Sequence, residues 1–229
     1  MTPFGDIRAR AETRKGGAGV LVSLLGPKPD NEAVAAVPDN RILAAMAQRI
    51  FAAGFVWSVI EQKWPGFEEA FLGFEPKRLL FQPDDFWHEL ASDTRIVRNG
   101  RNIRAVRDNA AFVARVSEER GGFGRFLAKW PADDQNGLTD WLAKHGSRLG
   151  GHTGPYLLRS LGWDAFILWS DVVAALRDAG LDISSNPTSK KDRAAIQAQI
   201  NSWAAETRLP RVHISRILAL SIGENHLSA

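Results

Sequence analysis

The sequence predicts an all-α fold of many short helices joined by short connections. Apolar residues recur at helical spacing from residue 39 onward, as Ile42, Met46 and Ile50 do in the first such stretch. Alternation of apolar and polar residues, which is typical of strands, is nearly absent. Glycines and prolines divide the chain into segments of helical length, and no internal repeat or low-complexity tract occurs.

The composition excludes several classes of site. The chain has 229 residues, of which 45% are hydrophobic, so one compact domain or two small lobes can form. It has no cysteine, which excludes disulfides, thiolate nucleophiles and cysteine-ligated metals. The absence of cysteine fits the expectation of a cytoplasmic protein. No apolar run reaches membrane-spanning length, and the first residues lack a signal-peptide core. A formal net charge of +3 is compatible with nucleic-acid binding without requiring it.

The first part of the chain differs from the rest. Residues 1–38 are basic and then rich in Gly, Pro and Ala, which predicts an N-terminal extension that is partly irregular. The body, residues 39–229, begins with a helical stretch that Asp39 or Asn40 can cap, that Gly54 interrupts and that Pro65 ends. A short helix over "PGFEEAFLGF" follows.

Further helices follow in order. "PDDFWHELASD" predicts a short helix, and Asn99-Gly100 predicts a turn. "IRAVRDNAAFVARVSEER" predicts a longer helix with one apolar face, which Gly121-Gly122 ends. The remaining helices are predicted over 135–145, 154–162, 170–179, 189–206 and 210–221.

The glycine-rich stretch "AKHGSRLGGHTGPYLLRSLG" reads as a helix, a tight hairpin and a second helix, at about 144–163. One interpretation is a plain corner between helices. The other is an anion cradle, since glycines expose backbone N–H groups and the start of the second helix, near Thr153, adds the positive end of a helix dipole. Such a cradle suits a DNA phosphate.

Asp171 is a second candidate, because it follows the apolar and aromatic stretch "WDAFILWS". Ser170 can cap the helix that starts here, which makes Asp171 an ordinary first-turn acid. Alternatively, an acid beside aromatic side chains and after a phosphate-binding hairpin can stabilise a developing sugar cation.

Two other segments have both a structural and a functional interpretation. The segment "TRIVRNGRNIRAVR" carries an arginine at every third position, which suits either a phosphate backbone or a solvated helix face. In "AAGFVWSVIEQKWPGF", Phe55 and Trp57 can line a flat pocket for an aromatic ligand or belong to the core. The five histidines lack metal-ligand spacing, and Walker and Rossmann glycine patterns are absent, so we expect no metal and no cofactor.

Taken in order, these segments carry a family resemblance over roughly residues 39–180. The residues that match are Gly54, Trp57, Phe67, Ala70, Phe71, Phe74, Glu75, Pro76, Ile96, Arg98, Ile103, Ala105, Asn109 and Ala110, followed by the hairpin and Asp171. In this order and spacing they resemble the DNA-3-methyladenine glycosylase I family of the helix-hairpin-helix DNA glycosylases.

The resemblance implies a two-lobed helix-hairpin-helix DNA glycosylase-like fold with a cleft between the lobes. It also implies hydrolysis of the N-glycosidic bond of alkylated purines such as 3-methyladenine in double-stranded DNA, the first step of base excision repair. The target base must be flipped out of the duplex. Lyase members of the superfamily use a lysine in the hairpin helix as an amine nucleophile, and no lysine lies between Lys144 and Asp171. We therefore expect a monofunctional glycosylase without lyase activity. We also expect it to act as a monomer.

The resemblance also assigns roles to residues. Asp171 is expected to be catalytic, with Glu61 as the next acid to consider. Phe55, Trp57 and Trp169 are expected to form the base pocket, where aromatic rings favour a cationic base. The expected DNA-binding residues are Arg98, Arg101, Arg148, Gly151, His152, Thr153 and Gly154.

Three departures from the family pattern mark the chain as a divergent member. The family's N-terminal zinc segment is absent, and a chain without cysteine excludes that zinc site. The family's pocket glutamate falls at Arg49 by ungapped alignment. The hairpin reads "LGGHTG" where the family has Leu-Pro-Gly-Val-Gly. Two alternatives therefore stay open: a non-catalytic helix-hairpin-helix DNA-binding protein that has lost the base pocket, and a helical interaction module without a DNA role.

Overall fold

The computed structural model describes residues 1–54 and 56–223, which form fourteen α-helices and no strand. The all-α prediction is confirmed. The helices are α1 (Phe4–Lys15), α2 (Ala18–Leu24), α3 (Asn31–Ala36), α4 (Asp39–Ala52), α5 (Trp57–Ala70), α6 (Pro76–Leu80), α7 (Asp84–Glu89), α8 (Gly100–Arg120), α9 (Phe123–Lys129), α10 (Gln135–His145), α11 (Thr153–Ser160), α12 (Ser170–Asp178), α13 (Lys190–Thr207) and α14 (Arg211–Ser221). None of these helices combines the length and the apolar character that crossing a bilayer requires.

The chain forms two compact units. The first comprises Met1–Pro29, Ala132–Asn136 and Asp164–Ala229, and the second comprises Asp30–Pro131 and Gly137–Trp163.

In the first unit, α1 packs against α14, which also contacts α12 and α13. Phe4 and Ile7 of α1 are fully buried, and the Phe4 ring lies 5.3 Å from the Trp203 ring, centroid to centroid. A buried glutamine, Gln135, donates from Nε2 to the Phe166 carbonyl at 2.9 Å and accepts from the Phe166 amide at 2.8 Å. The segment before Pro29 is therefore part of a core.

Residues 1–38 contain three helices, α1 to α3, more regular structure than their glycine and proline content indicated. The glycines mark the ends of helices here: Gly16 adopts a left-handed φ of 87° as the C-cap of α1. The division of the chain at residue 38 into an extension and a glycosylase-like body stays a prediction.

The start of α14 holds a partly buried ion pair in the first unit. Arg211 and Asp164 lie 3.3 Å apart, with side chains only 16% and 14% exposed. Asp164 also accepts from the backbone amides of Arg211 and Val212, at 3.1 and 2.9 Å. Arg211 Nε donates to Asn201 at 2.6 Å, so charge and hydrogen-bonding capacity are matched on both sides.

In the second unit, α4 packs against α8 and also contacts α5, α9 and α11. Buried aromatic rings fill the space beside α4. The Phe51 ring lies 4.8 Å from that of Phe67, edge to face, and Trp64 stacks at 5.4 Å on both Phe67 and Phe74. This packing holds the end of α4, next to the site described below, against α5.

The prediction that Pro65 ends a helix is wrong, because α5 continues through it to Ala70. A proline inside a helix removes one backbone hydrogen bond and costs about 3 kcal/mol. Here the residues on either side, Trp64 and Phe67, anchor the helix in the aromatic cluster, and Phe67 is fully buried. Tertiary packing therefore overrides the local signal.

Two predicted helix starts also differ in the structure. Pro38 occupies the N-cap of α4, and the Asp39 carboxylate instead accepts from the amide of Phe123, at the start of α9, at 3.0 Å. Asn99-Gly100 is a helix start rather than a separate turn, since Asn99 caps α8 by accepting from the amides of Arg101 and Asn102.

Candidate functional site

The end of α4 forms one side of the candidate site. The helix stops after Ala52, Gly54 adopts a φ of 92°, and α5 begins at Trp57. Trp57 is 37% exposed, and the guanidinium carbon of Arg49 lies 4.7 Å from its ring centroid. A charged side chain and an aromatic ring are thus stacked at the surface where α4 ends.

The predicted hairpin forms the other side. It connects α10 to α11, and two residues in it have left-handed backbones, Arg148 with φ of 59° and Gly151 with φ of 60°. Between them, Leu149 is fully buried. The loop therefore turns over an apolar anchor.

A buried asparagine holds the hairpin in place. Asn109 of α8 is fully buried, donates from Nδ2 to the Ser147 carbonyl at 3.0 Å and accepts from the Ser147 amide at 2.8 Å. This pair of bonds satisfies the polar backbone of Ser147 as a strand partner would. Asn109 was noted in the sequence as part of the resemblance, and its 38-residue separation from Ser147 gave no signal of the contact.

The two glycines assigned to phosphate binding have different surroundings. Gly151 is exposed, and a Cβ built on it would have no atom within 4 Å among the described residues. Gly154 is buried, and a Cβ there would lie 3.1 Å from the Leu149 carbonyl oxygen and 3.4 Å from Thr139 Cγ2. The close approach of α11 to its neighbours requires the absence of a side chain at Gly154.

The two sides enclose a cleft of about 230 Å³ within the second unit. Its lining residues are Arg49, Ala52 and Ala53 from the end of α4, and His152, Thr153 and Tyr156 from the hairpin and the first turn of α11. The structure thus brings His152 and Thr153, two of the predicted DNA-binding residues, to the same cleft as Arg49, on which Trp57 stacks.

Arg49 has an unusual environment for a cation. Burial lowers the pKa of its guanidinium, and the neighbouring Tyr156 opposes that shift. Its Nε is buried and has no hydrogen-bond partner, and no acidic side chain among residues 1–54 and 56–223 forms an ion pair with it. The predicted base pocket did not include Arg49 or Tyr156, although the ungapped alignment had placed the family's pocket glutamate at Arg49.

The predicted catalytic acids lie elsewhere. Glu61 is exposed on α5 and does not line the cleft. Asp171 belongs to the first unit, half-buried in the first turn of α12, where Trp169 rather than Ser170 is the N-cap. Gly223 packs so closely on its carboxylate that a Cβ there would lie 2.9 Å from Asp171 Cγ. The catalytic roles of both acids stay predictions.

Trp169, another aromatic residue predicted for the base pocket, is not among the described residues that line this cleft. Trp169 is 39% exposed and belongs to the first unit. Phe55 lies outside the residues that the structure describes. The base-pocket roles of Phe55, Trp57 and Trp169 therefore stay predictions.

The arginine stripe divides into two groups. Arg95 pairs with Asp93 at 2.7 Å, and Arg107 pairs with Asp84 at 2.7 Å. Arg98 and Arg101 are exposed, like Arg104, and form no ion pair with any residue in the described ranges. The two arginines predicted to bind DNA thus belong to the unpaired group, as does Arg148 in the hairpin.

No group of three or more His, Asp or Glu side chains in the described part of the chain is arranged to hold a metal ion.

Part of the chain matches a known protein family. Residues 30–145 match the family described as methyladenine glycosylase, a range that includes the end of α4 and stops just before the hairpin. No curated protein sequence matches the chain.

Solved structures of 3-methyladenine DNA glycosylase I share the fold. Two are from Staphylococcus aureus. The match to the structure that describes 3-methyladenine recognition spans 55% of this chain and 77% of the S. aureus chain. The match to a glutamate-to-glutamine variant spans 55% of this chain and 78% of the variant. A tyrosine-to-phenylalanine variant in complex with 3-methyladenine covers 60% and 80%. Each is 20% identical to this chain with a TM-score of 0.50, so the likeness concerns the fold.

Proposed function

This chain belongs to the methyladenine glycosylase family, and on that premise we propose that it is a DNA repair glycosylase that hydrolyses the N-glycosidic bond of alkylated purines such as 3-methyladenine. Its substrate is double-stranded DNA that contains an alkylated base, on which it acts as a monomer in the cytoplasm. The reaction releases a free base and starts base excision repair.

The observation that carries this proposal is the cleft between the end of α4 and the hairpin. A base inside a duplex is out of reach, so a glycosylase needs a pocket next to the surface that binds the backbone. Here a cleft of about 230 Å³ is lined by His152 and Thr153, beside the exposed Gly151. A phosphate at the hairpin and a flipped base in the cleft are thus neighbours.

The hairpin supplies the phosphate contact in this proposal. Gly151 leaves the backbone open to solvent, and α11 begins two residues later, so an exposed backbone segment directly precedes the positive end of a helix dipole. Arg98, Arg101 and Arg148 are exposed cations that extend the contact along the backbone.

Asp171 is the proposed catalytic acid, and Glu61 is the second candidate. A carboxylate near the sugar stabilises the positive charge that develops as the bond to the base breaks, and it orients the attacking water. The hairpin helix carries no lysine for an amine nucleophile, so the enzyme releases the base without cutting the strand.

The proposal is tested with duplex DNA treated with a methylating agent. The protein is incubated with this DNA, and the released free bases are separated and identified. Release of methylated purines with intact strands is the expected result. Binding to the DNA without release of any base would favour a non-catalytic DNA-binding protein instead.

Replacement of the proposed catalytic carboxylate tests its role. Asp171→Asn keeps the shape and removes the charge, so loss of the stabilised sugar cation should slow single-turnover base release by about a hundredfold, or about 3 kcal/mol. As a first-turn acid alone, Asp171 contributes less than about 1 kcal/mol to stability, so the thermal midpoint should change little. DNA affinity should stay the same or increase.

Glu61→Gln is the matched variant, because it makes the same isosteric change on an exposed side chain of α5. A wild-type rate in Asp171→Asn together with a slow Glu61→Gln would transfer the catalytic role to Glu61. Wild-type rates in both variants would exclude the two acids.

A further inference from the structure

The lining of the cleft carries hydrogen-bond donors and a positive charge. Of the six described residues that line it none is acidic, and Arg49 is the one with a permanent charge. His152, Thr153 and Tyr156, from the hairpin side, have side chains that can donate an N–H or O–H bond. The Arg49 guanidinium is half-buried, so solvent screens its charge less than it would on the open surface. Such a lining suits an anion.

Arg49 is placed to bind an anion through the edge of its guanidinium. One face of the guanidinium stacks on Trp57, with 4.7 Å between the guanidinium carbon and the ring centroid. The N–H donors of an arginine lie in the guanidinium plane and point outward from its edge, so stacking does not occupy them. The Nε is buried without a partner, and no acid in the described ranges forms an ion pair with Arg49. An anion at this edge offsets the cost of burying the charge.

The anion that DNA brings to this place is a phosphodiester. The hairpin contributes His152 and Thr153 to the cleft, so the surface proposed to bind the backbone and the cleft meet at the start of α11. A regular duplex is convex and keeps its phosphates on that surface, outside a recess of about 230 Å³. A nucleotide that flips out carries its sugar and the adjoining phosphate away from the regular path of the backbone. Flipping therefore brings a phosphate to the cleft side of Arg49.

We infer that Arg49 binds the phosphate adjoining the flipped nucleotide, and so holds that nucleotide in the cleft without contacting its base. This inference rests on the proposed glycosylase function and assigns the residue that distinguishes a flipped nucleotide from a stacked one. The phosphate also neutralises the guanidinium. A positively charged base, such as that of a 3-methyladenine nucleotide, is therefore accepted in the same cleft, because the paired arginine repels it far less than a lone cation would.

The remaining lining of the cleft is left for the base. Ala52 and Ala53 contribute methyl groups, which suit the face of a ring and offer nothing to a phosphate. Arg49 and the hairpin residues contribute the donors. The cleft thus has polar groups for a phosphate and apolar surface for a ring, and one flipped nucleotide carries both.

The test compares two duplexes that differ at one nucleotide. One contains a tetrahydrofuran residue, which has the sugar and its phosphates but no base to stack, so it leaves the duplex at little cost. The other is undamaged. Arg49→Gln should bind the tetrahydrofuran duplex at least about tenfold more weakly than wild type does, the effect of losing a hydrogen bond to a charged group. Its salt slope on that duplex should be lower by about one, and its binding to the undamaged duplex should not change.

Two matched substitutions separate the phosphate contact from a general loss of charge or structure. Arg49→Lys keeps the charge, so it should keep the wild-type salt slope while losing part of the affinity, since an ammonium group cannot bond in a bidentate manner. Arg148→Gln removes an exposed cation of the hairpin and should weaken both duplexes to the same degree. Circular dichroism checks that each variant folds.

A change in the DNA tests the same contact with the wild-type protein. In two further tetrahydrofuran duplexes the phosphate on the 5′ side or on the 3′ side of the tetrahydrofuran is replaced by an uncharged methylphosphonate. Wild-type protein should lose at least about tenfold in affinity at one of these positions. Arg49→Gln should lose nothing further there, because both changes remove the same contact. Additive losses at both positions would contradict the inference.

Three other outcomes would overturn the inference. Equal weakening of the tetrahydrofuran and undamaged duplexes in Arg49→Gln makes Arg49 an ordinary backbone contact. Weakening confined to a duplex with the hydrolysis-resistant analogue 3-deaza-3-methyladenine assigns Arg49 to the base. Thermal stabilisation of the wild type by inorganic phosphate at matched ionic strength, lost in Arg49→Gln without any effect on the duplexes, indicates a site for a free anion.

The proposed function is tested separately by release of methylated purines. Wild-type release of these bases, with no effect of Arg49→Gln on any duplex, overturns the inference and leaves the proposed function standing. Failure of the wild type to bind any duplex overturns both.

Discussion

Arg211 in the first unit and Arg49 in the second are both withdrawn from water, and they differ in what surrounds them. Arg211 is 16% exposed and is bonded to the Asp164 carboxylate and to Asn201. Arg49 is half-buried, stacks on Trp57 and leaves its Nε without a partner. The first arrangement holds a helix start in place, and the second leaves donors available at a cleft.

This comparison distinguishes the two arginines by their hydrogen-bond partners rather than by their burial. Removing one member of a buried pair leaves the other charge uncompensated, which is strongly destabilising. Removing a partly buried charge that has no partner leaves no other group without a hydrogen bond or a countercharge. Substitution should therefore lower the free energy of unfolding more at Arg211 than at Arg49.

The largest expected effect on stability is at Arg211. Arg211→Met leaves the Asp164 carboxylate with only backbone donors and removes the bond to Asn201, so the free energy of unfolding should fall by about 2 kcal/mol. Urea denaturation measures the change. Arg98→Met is the control, because Arg98 is exposed and forms no ion pair within the described ranges, and its effect should stay within about 0.5 kcal/mol. Equal effects at the two positions would contradict the comparison.

Asn109 extends the comparison to a neutral side chain in the second unit. Asn109→Leu leaves both the amide and the carbonyl of Ser147 without their partner, so we expect a loss of about 1.5 kcal/mol and weaker DNA binding by the released hairpin. Asn102→Leu, in the same helix, is the matched variant, since Asn102 donates only to the Ile50 carbonyl at 3.3 Å and its Oδ1 has no partner. Its effect should be smaller, and the reverse order would show that bond count does not decide the cost.

The smallest expected effect on stability is at Arg49. Arg49→Met removes a cation that burial disfavours and also removes its contact with Trp57, which is worth about 0.5–1 kcal/mol. These two changes oppose each other, so the free energy of unfolding should stay within about 0.5 kcal/mol of wild type. A loss comparable to that of Arg211→Met would mean that Arg49 is a structural residue.

The helices could be predicted largely because their signals are local. The ranges 135–145, 154–162, 170–179, 189–206 and 210–221 agree with α10 to α14 to within two residues at each end. The prediction failed at Pro65, where a breaker is overridden by the aromatic contacts of Trp64 and Phe67. Those contacts depend on Phe51 and Phe74, which lie in other elements, so a local pattern cannot reveal them.

The site was predictable in part for the same reason. The hairpin was visible in the sequence because glycine and the start of a helix are local features. The cleft depends on Arg49 and Tyr156, which are far apart in the chain and meet only because α4 packs against α11. Asn109 likewise reaches Ser147 across 38 residues. Tertiary packing brings these residues together, and their spacing in the chain carries no sign of it.

Pro65 weakens α5, the helix whose first residue, Trp57, stacks on Arg49 beside the cleft. A proline has no N–H, so the carbonyl of Glu61 lacks its helical donor, and the first turns of α5 are joined to the remainder by one hydrogen bond fewer. Trp57 lies in that weakened part, whereas Asn109 holds the hairpin through two hydrogen bonds to Ser147. Segments with fewer bonds and contacts open more often. We therefore expect hydrogen exchange to be faster in the first turns of α5 than at Ser147, and the face of the Arg49 guanidinium that Trp57 covers to become accessible when those turns open.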